Sequence, residues 1–357
     1  MTPDANRQFG FRSRNDSPSG AVLASVIDAT REAVIVVEPS LRLIAANSPA
    51  HQAFSRNAVS LVDRRLSEIF RDASLHEAFA LALRTGESSD VRLEIINHQK
   101  RAYDIHVATI LHNGIRHAIG YFYDKTQMER LERVRQEFLS NISHELRTPL
   151  TSIMAFVETL EDGAIDDTDN NRRFLNVIRR NAERMHCLIS DISELSMIES
   201  GNVSIEKIPV RLSHIIDDVF TNLSSKAAER KIQLINEVAE ETRVFADPTR
   251  LEQMLTNLID NAIKFNISSG HVLVRTEQRE NGSAISVIDT GEGILPEQVG
   301  RIFERFYRVD RGRTRDIGGT GLGLAIVKHL AKLHGGEISV QSKLGQGTAF
   351  LIELPSP

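Results

Sequence analysis

Apolar positions along the chain follow three successive rhythms. Between residues 21 and about 125 they gather into short β-rich runs, at Ala33–Val37, Leu41–Ala45, Val91–Ile96, Tyr103–Ile110 and Ile115–Tyr123, with helical patterns between Ser48 and Arg84. Short runs of this kind, bounded by turn formers, predict strands. His112-Asn113-Gly114 separates the last two, and Asn-Gly favours a tight hairpin turn. The expectation is a mixed α/β domain: two strands, several small helices, then three antiparallel strands.

From Met128 to about Leu160 the rhythm turns helical, through Leu131, Val134, Phe138, Ile142, Leu146, Leu150, Ile153, Val157 and Leu160. Steps of three and four mark one apolar stripe along a helix. Glu161-Asp162-Gly163-Ala164 ends it, with Gly163 suited to a left-handed cap. Pro149 removes a backbone donor and crowds the preceding turn, so a bend is expected there. A second stripe, Phe174, Ile178, Met185, Leu188, Ile192, Leu195 and Ile198, is stopped by Gly201. Two such helices cannot bury both stripes alone. Pairing two copies makes a four-helix bundle, so a homodimer is expected.

Beyond about residue 205, helices and strands alternate. Strands are expected at Gln233–Val238, His271–Glu277, Ala284–Asp289, Glu337–Ser342 and Thr348–Glu353. Helices are expected near Leu212–Arg230, Pro248–Lys264, Leu295–Phe303 and Leu322–His334.

Composition narrows the class without choosing a function. The 357 residues suffice for two or three cores, and 41% hydrophobic with 25% charged residues is ordinary globular composition. A net charge of −5 gives no electrostatic case for nucleic acid. The one cysteine, Cys187, rules out an intrachain disulfide framework and fits a reducing compartment; among apolar helical neighbours it reads as a buried, inert thiol. No run reaches the roughly 18 to 20 apolar residues of a membrane span. The best run, Ala21 to Val37, is broken by Asp28, Arg31 and Glu32. Residues 1–20 are polar and lack a signal-peptide centre, so they read as a flexible lead-in. A soluble, cytoplasmic chain is expected, with an upstream membrane segment left open.

The chemistry concentrates in a few motifs. Phe138 to Leu150 reads F-L-S-N-I-S-H-E-L-R-T-P-L and sets His144 beside Glu145, with Thr148 one turn further on. An imidazole beside a carboxylate is a tunable nucleophile: the acid can hydrogen-bond one ring nitrogen and leave the other free. The run N-L-I-D-N-A-I-K-F spaces Asn257, Asn261 and Lys264 by single turns, two carboxamides and an amine suited to phosphate oxygens and hydrated Mg²⁺. Asp289-Thr290-Gly291-Glu292-Gly293 ends a strand with a carboxylate that can accept from an exocyclic amine, and glycines that admit a base. Arg301 to Asp310 carries Phe303 and Phe306 among charges, as a lid would. Gly318 to Lys328 opens a helix with exposed N–H groups, a natural phosphate site. Gly345-Gln346-Gly347-Thr348 is a structural turn.

In this order the motifs of residues 128 to 357 resemble the acceptor box and the N, G1, F, G2 and G3 boxes of the sensor histidine kinases, nearest the phosphate-regulon type. The first domain resembles a PAS sensor, through the strand pattern, Ala46–Ala50 (A-N-S-P-A) and Tyr123–Gln127 (Y-D-K-T-Q). The implied chain is multidomain. Residues 1–20 lead in, 21–125 form an α/β PAS-like sensor, and 126–203 an antiparallel helical hairpin forming a dimeric four-helix bundle. Residues 204–357 form an α/β sandwich of the ATPase type shared with gyrase. The resemblance implies ATP-dependent phosphorylation of His144 and transfer to an aspartate of a response regulator. Glu145 would orient the imidazole and take its proton, and Thr148 would place water for dephosphorylating the partner. Asn261, with Asn257, would hold Mg²⁺; Lys264 and Arg308 would offset charge; Asp289 and Phe265 would take adenine. Gly291, Gly293, Thr320, Gly321 and Gly323 complete the ATP site. Asn266 departs from the usual Ser or Thr, with little consequence expected. Two competitors are a PAS adaptor without turnover and a gyrase-like clamp; the latter wants a glutamate where Asn257 stands. The histidines His51, His76, His98, His106, His112 and His117 show no metal or haem spacing, and the signal is unreadable.

Overall fold

The computed structural model describes residues 26–55, 60–96, 100–112, 114–309 and 319–356. The lead-in of residues 1–20, His98, the turn residue Asn113 and the stretch 310–318, with Asp310 and Gly318, lie outside the described residues. The chain divides into two compact units, Met1–Glu137 and Phe138–Pro357.

The first unit is a five-stranded antiparallel sheet in the order β2-β1-β5-β4-β3. Its strands are β1 (Ala33–Val37), β2 (Leu43–Ala46), β3 (Ser89–Ile96), β4 (Lys100–His112) and β5 (Ile115–Asp124); α1 (Ser48–Phe54), α2 (Leu66–Ile69) and α3 (Ala73–Thr85) intervene between β2 and β3. Alternation along β1 sends Ile35 and Val37 to the helix side and Val34 and Val36 to the other face, and both faces are covered. Aromatic rings fill the helix side: Phe54 lies 4.9 Å from Phe70, 5.4 Å from Tyr103 and 5.0 Å from Phe122. Gly120 is required there, because a Cβ would come 2.5 Å from Phe79 Cζ. Asn47 is fully buried and satisfied. Its Oδ1 accepts from Val34 N–H and Ala50 N–H, and its Nδ2 donates to the Ile27 and Glu32 carbonyls. It caps α1 and ties the chain before β1 to the chain after β2, which gives the A-N-S-P-A segment a physical role.

Two long helices follow, α4 (Thr126–Thr159) and α5 (Asn171–Glu199). α4 runs through Pro149 without interruption, so the expected bend does not break the helix. Proline deletes one donor, and the bonds either side suffice to carry the helix past it. The turn at Leu160–Ala164 is π-helical; Gly163 takes the left-handed φ 107° inside it, while the C-cap falls at Ile165. Cys187 is exposed, which corrects the expectation of a buried thiol. It lies beside the apolar stripe rather than in it.

The remainder is a sandwich. A sheet ordered β11-β12-β10-β9-β7 backs the helices α6 (Leu212–Glu229), α7 (Pro248–Lys264) and α9 (Gly323–Leu333). Its strands are β7 (Gln233–Asn236), β9 (His271–Arg279), β10 (Gly282–Asp289), β11 (Glu337–Lys343) and β12 (Gly347–Pro355), with only β7–β9 parallel. A two-stranded sheet, β6 (Ile208–Arg211) with β8 (Arg243–Ala246), was not expected. The helix expected over Leu295–Phe303 shrinks to α8 (Pro296–Val299), since Gly300 follows it and the apolar anchors beyond pack from a turn.

Candidate active site

α7 begins cleanly: Asp247 accepts from Arg250 N–H at 3.1 Å and Pro248 takes the first helical position. Leu251, Met254, Leu255, Leu258, Ile259, Ala262 and Ile263 bury one face against the sheet. That rotation leaves Asn257, Asn261 and Lys264 half-buried on the rim of the sandwich. Lys264 Nζ lies 2.5 Å from Asp260 Oδ2, one turn back. Asn257 Oδ1 faces the start of α9, where a Cβ on Gly323 would approach it to 3.2 Å. Glycine there lets the helix N-terminus close on the carboxamide.

At the end of β10, Asp289 is buried and its Oδ1 accepts from Gly291 N–H at 2.8 Å and Thr348 N–H at 3.2 Å. Burial pushes its carboxyl up to about 6 against the opposing pull of those two donors. Phe265, at 41% exposed, caps α7 beside this carboxylate, and its carbonyl accepts from Glu292 N–H at 3.1 Å. A Cβ on Gly291 would collide with that carbonyl, and one on Gly293, at φ 71°, with the Lys343 carbonyl. These glycines serve the packing of backbone on backbone, a need the sequence motif alone did not reveal. Asn266 is likewise more than a neutral departure. Its Oδ1 accepts from Thr290 Oγ1 at 3.0 Å and its Nδ2 donates to the His271 carbonyl at 3.0 Å, lashing the end of α7 to β9 and β10.

The segment around Phe306 is packed down. Phe306 takes φ 59°, a conformation a bulky residue adopts only under constraint. Its N–H donates to the Gly321 carbonyl at 2.9 Å, and its ring lies 5.8 Å from Phe138 of α4. Gly321, at φ 73°, makes room for the Phe306 backbone. Arg308 donates to the Gly319 carbonyl and to Glu145 Oε2, the latter at 3.2 Å.

His144 and Thr148 are exposed and line an open groove on α4 with Arg147, Thr151, Ser152 and Ala155. Thr148 Oγ1 donates to the His144 carbonyl at 3.2 Å. Among the described residues no hydrogen bond joins Glu145 to the His144 ring. Neighbours on a helix diverge by about 100°, and Glu145 turns instead to Arg184 of α5 at 3.0 Å and to Arg308. The structure thus joins Glu145 to Arg308 of the sandwich and leaves His144 exposed.

The hairpin holds the sandwich through acids that sequence reading missed. Thr320 donates to Asp191 at 2.6 Å, Arg250 pairs with Glu194 at 2.7 Å, and Arg305 pairs with Glu199. Asp191 and Glu194 stand three apart on α5, but nothing in that spacing announced their partners.

Three family models match the chain: "PAS fold" over residues 27–130, "His Kinase A (phospho-acceptor) domain" over 134–201, and "Histidine kinase-, DNA gyrase B-, and HSP90-like ATPase" over 246–357. The chain belongs to the sensor histidine kinases. It is 32% identical over 339 residues to the sensor histidine kinase WalK of Bacillus subtilis (strain 168), covering 93% of this chain and 55% of that protein. To the sensor protein kinase WalK of Staphylococcus epidermidis (strain ATCC 12228 / FDA PCI 1200) it is 39% identical over 241 residues, 66% of this chain and 39% of that one. The chain spans about half the length of the curated relatives it matches, or less. Among solved structures, histidine kinase ThkA in complex with response regulator protein TrrA shares the fold at a TM-score of 0.51 and 23% identity, over 93% of this chain and 98% of that one. Among the described residues no helix is long and apolar enough to cross a membrane.

Proposed function

We propose that this sensor histidine kinase phosphorylates itself on His144 with ATP, passes the phosphoryl group to an aspartate of a response-regulator receiver domain, and dephosphorylates that partner through Thr148. The observation that carries this is the Arg308–Glu145 pair, which spans the nucleotide rim and the residue beside the acceptor. A ring nitrogen of His144 attacks the γ-phosphorus, the bond to the β-phosphate oxygen breaks, and ADP leaves. Glu145 takes the ring proton once it turns from Arg308. Phosphoryl transfer asks for alignment and charge neutralisation, and Lys264 and Arg308 supply charge. Asp289 and Phe265 hold adenine. The carboxamides of Asn257 and Asn261 fit Mg²⁺, which keeps most of its waters and needs few protein oxygens; when bound it would neutralise phosphate charge.

We assign residues 21–125 to sensing, 126–203 to dimerisation and phosphotransfer, and 204–357 to ATP binding. ATP as substrate and a single free thiol fit the cytoplasm. The response-regulator complex of ThkA supports the class of partner. With Mg²⁺ and ATP, phosphate should enter as an acid-labile, base-stable adduct. His144→Gln should abolish labelling and keep ATP binding; labelling at a histidine in that variant would refute the assignment.

A further inference from the structure

The hairpin places a carboxylate where the nucleotide site expects an anion. Asp191 Oδ2 accepts a 2.6 Å hydrogen bond from Thr320 Oγ1, and that hydroxyl also accepts from Leu322 N–H at 3.2 Å, at the mouth of α9. A helix N-terminus with a hydroxyl beside it is a phosphate-binding arrangement. The α7 ammonium of Lys264 also attracts Asp191. Burial lifts the Asp191 pKa, the Thr320 bond opposes this, Glu194 adds to the lift, and Lys264 opposes it. Asp191 is half-buried, and a carboxylate whose hydrogen-bond partner is a hydroxyl gains little stability from that contact. It makes sense as an occupant of a site built for anions. The same substitution of acid for phosphate recurs at the rim, where Glu145 holds Arg308. Phe306 links the two, held at its left-handed φ between Gly321 and the Phe138 ring.

We propose that Asp191 occupies part of the phosphate subsite in this structure, so that ATP binds by displacing it and thereby frees the glycine-rich turn from the hairpin. The proposal rests on the ATP-binding reading above. It makes nucleotide affinity depend on how firmly the hairpin holds the catalytic half, which gives any signal that repacks the hairpin a direct route to the active site. Apparent affinity is the intrinsic affinity reduced by the fraction of molecules with the subsite open.

The test is Mg·ATP titration by calorimetry on the full chain carrying His144→Gln, which blocks turnover. Adding Asp191→Ala should tighten binding by about three- to tenfold, through the larger open fraction. Asp191→Asn, which keeps the shape and a neutral acceptor, should tighten it less. Glu183→Ala, an exposed acid elsewhere on α5, should change nothing. Thermal melts establish that each variant is folded. Unchanged affinity in both Asp191 variants would overturn the proposal. Weaker affinity in both would overturn it too, by making Asp191 a ligand of the nucleotide or its metal. Failure of the His144→Gln parent to bind Mg·ATP at all would instead bring down the ATP-binding reading itself.

Discussion

Asp289, proposed to hold adenine, shows what a single buried carboxylate costs its fold. Its folded pKa of about 6 lies above the usual carboxylate value of 3.8, with burial as the leading cause. A group raised in this way contributes stability that is full below the unfolded pKa and is lost as pH rises through the folded one. Without nucleotide, Asp289 therefore adds no penalty to the folded state below about pH 4; the penalty grows from there and is complete above about 6. At its full extent it is on the order of 3 kcal/mol. Asp289→Asn should raise the melting temperature of the nucleotide-free protein at pH 8, with no gain at pH 4. On the proposed adenine-binding role it should also weaken ATP by about tenfold or more, because the adenine amine would lose its acceptor and meet a donor. Melting curves at the two pH values, with titrations beside them, decide this. A variant no more stable at pH 8 would mean that burial does not strain the carboxylate.

At the scale of elements, α4 carries the next expectation. It is helical from Thr126 to Thr159, and Leu131, Val134 and Phe138 set a seam that leads to the acceptor. One residue inserted after Arg130 rotates everything downstream by about 100°, whereas seven nearly restore the register. The single insertion should change the ratio of kinase to phosphatase activity and the seven-residue insertion largely spare it; equal ratios would make the link a passive tether. This helix was legible because its stripe is long and its period is unambiguous, and α7 because cap, proline and apolar face all agree. The pair β6 and β8 was not. Each is four residues long, β6 contains Pro209, and the whole of α6 and β7 separates the partners. The run to Phe303 was over-read as helix because its apolar spacing serves anchoring, with Phe303 packed edge-on to Phe350 at 6.3 Å.

For the whole molecule, the candidate nucleotide site could be found from motifs because each of its boxes is local: a helix face, a strand end, a glycine turn. What joins the hairpin to the catalytic half could not, since Glu145 and Arg308 stand 163 residues apart and only the fold makes them neighbours. The same limit applies to the second copy, although its footprint is visible. Leu150 and Val157 of the α4 stripe stay exposed, as do Met154 beside them and Leu175 and Ile189 of α5, whereas Phe138, Ile142 and Leu146 of that stripe pack against the core of the sandwich. The stripe therefore divides between an internal and an external task. Steps of four and three through Leu150, Met154 and Val157 give a continuous apolar strip, and burying each such side chain yields about 1.5 to 3 kcal/mol. In the proposed dimer a second hairpin would supply the matching surface, completing four helices. Met154→Glu places a charge in the middle of that strip and should convert the protein from dimer to monomer at micromolar concentration. The fold of each protomer should survive, because Met154 is exposed and belongs to none of the three buried clusters. Sedimentation equilibrium of parent and variant, with circular dichroism as the folding control, reads the outcome. A parent that sediments as a monomer across the accessible concentration range would remove the bundle from the proposal.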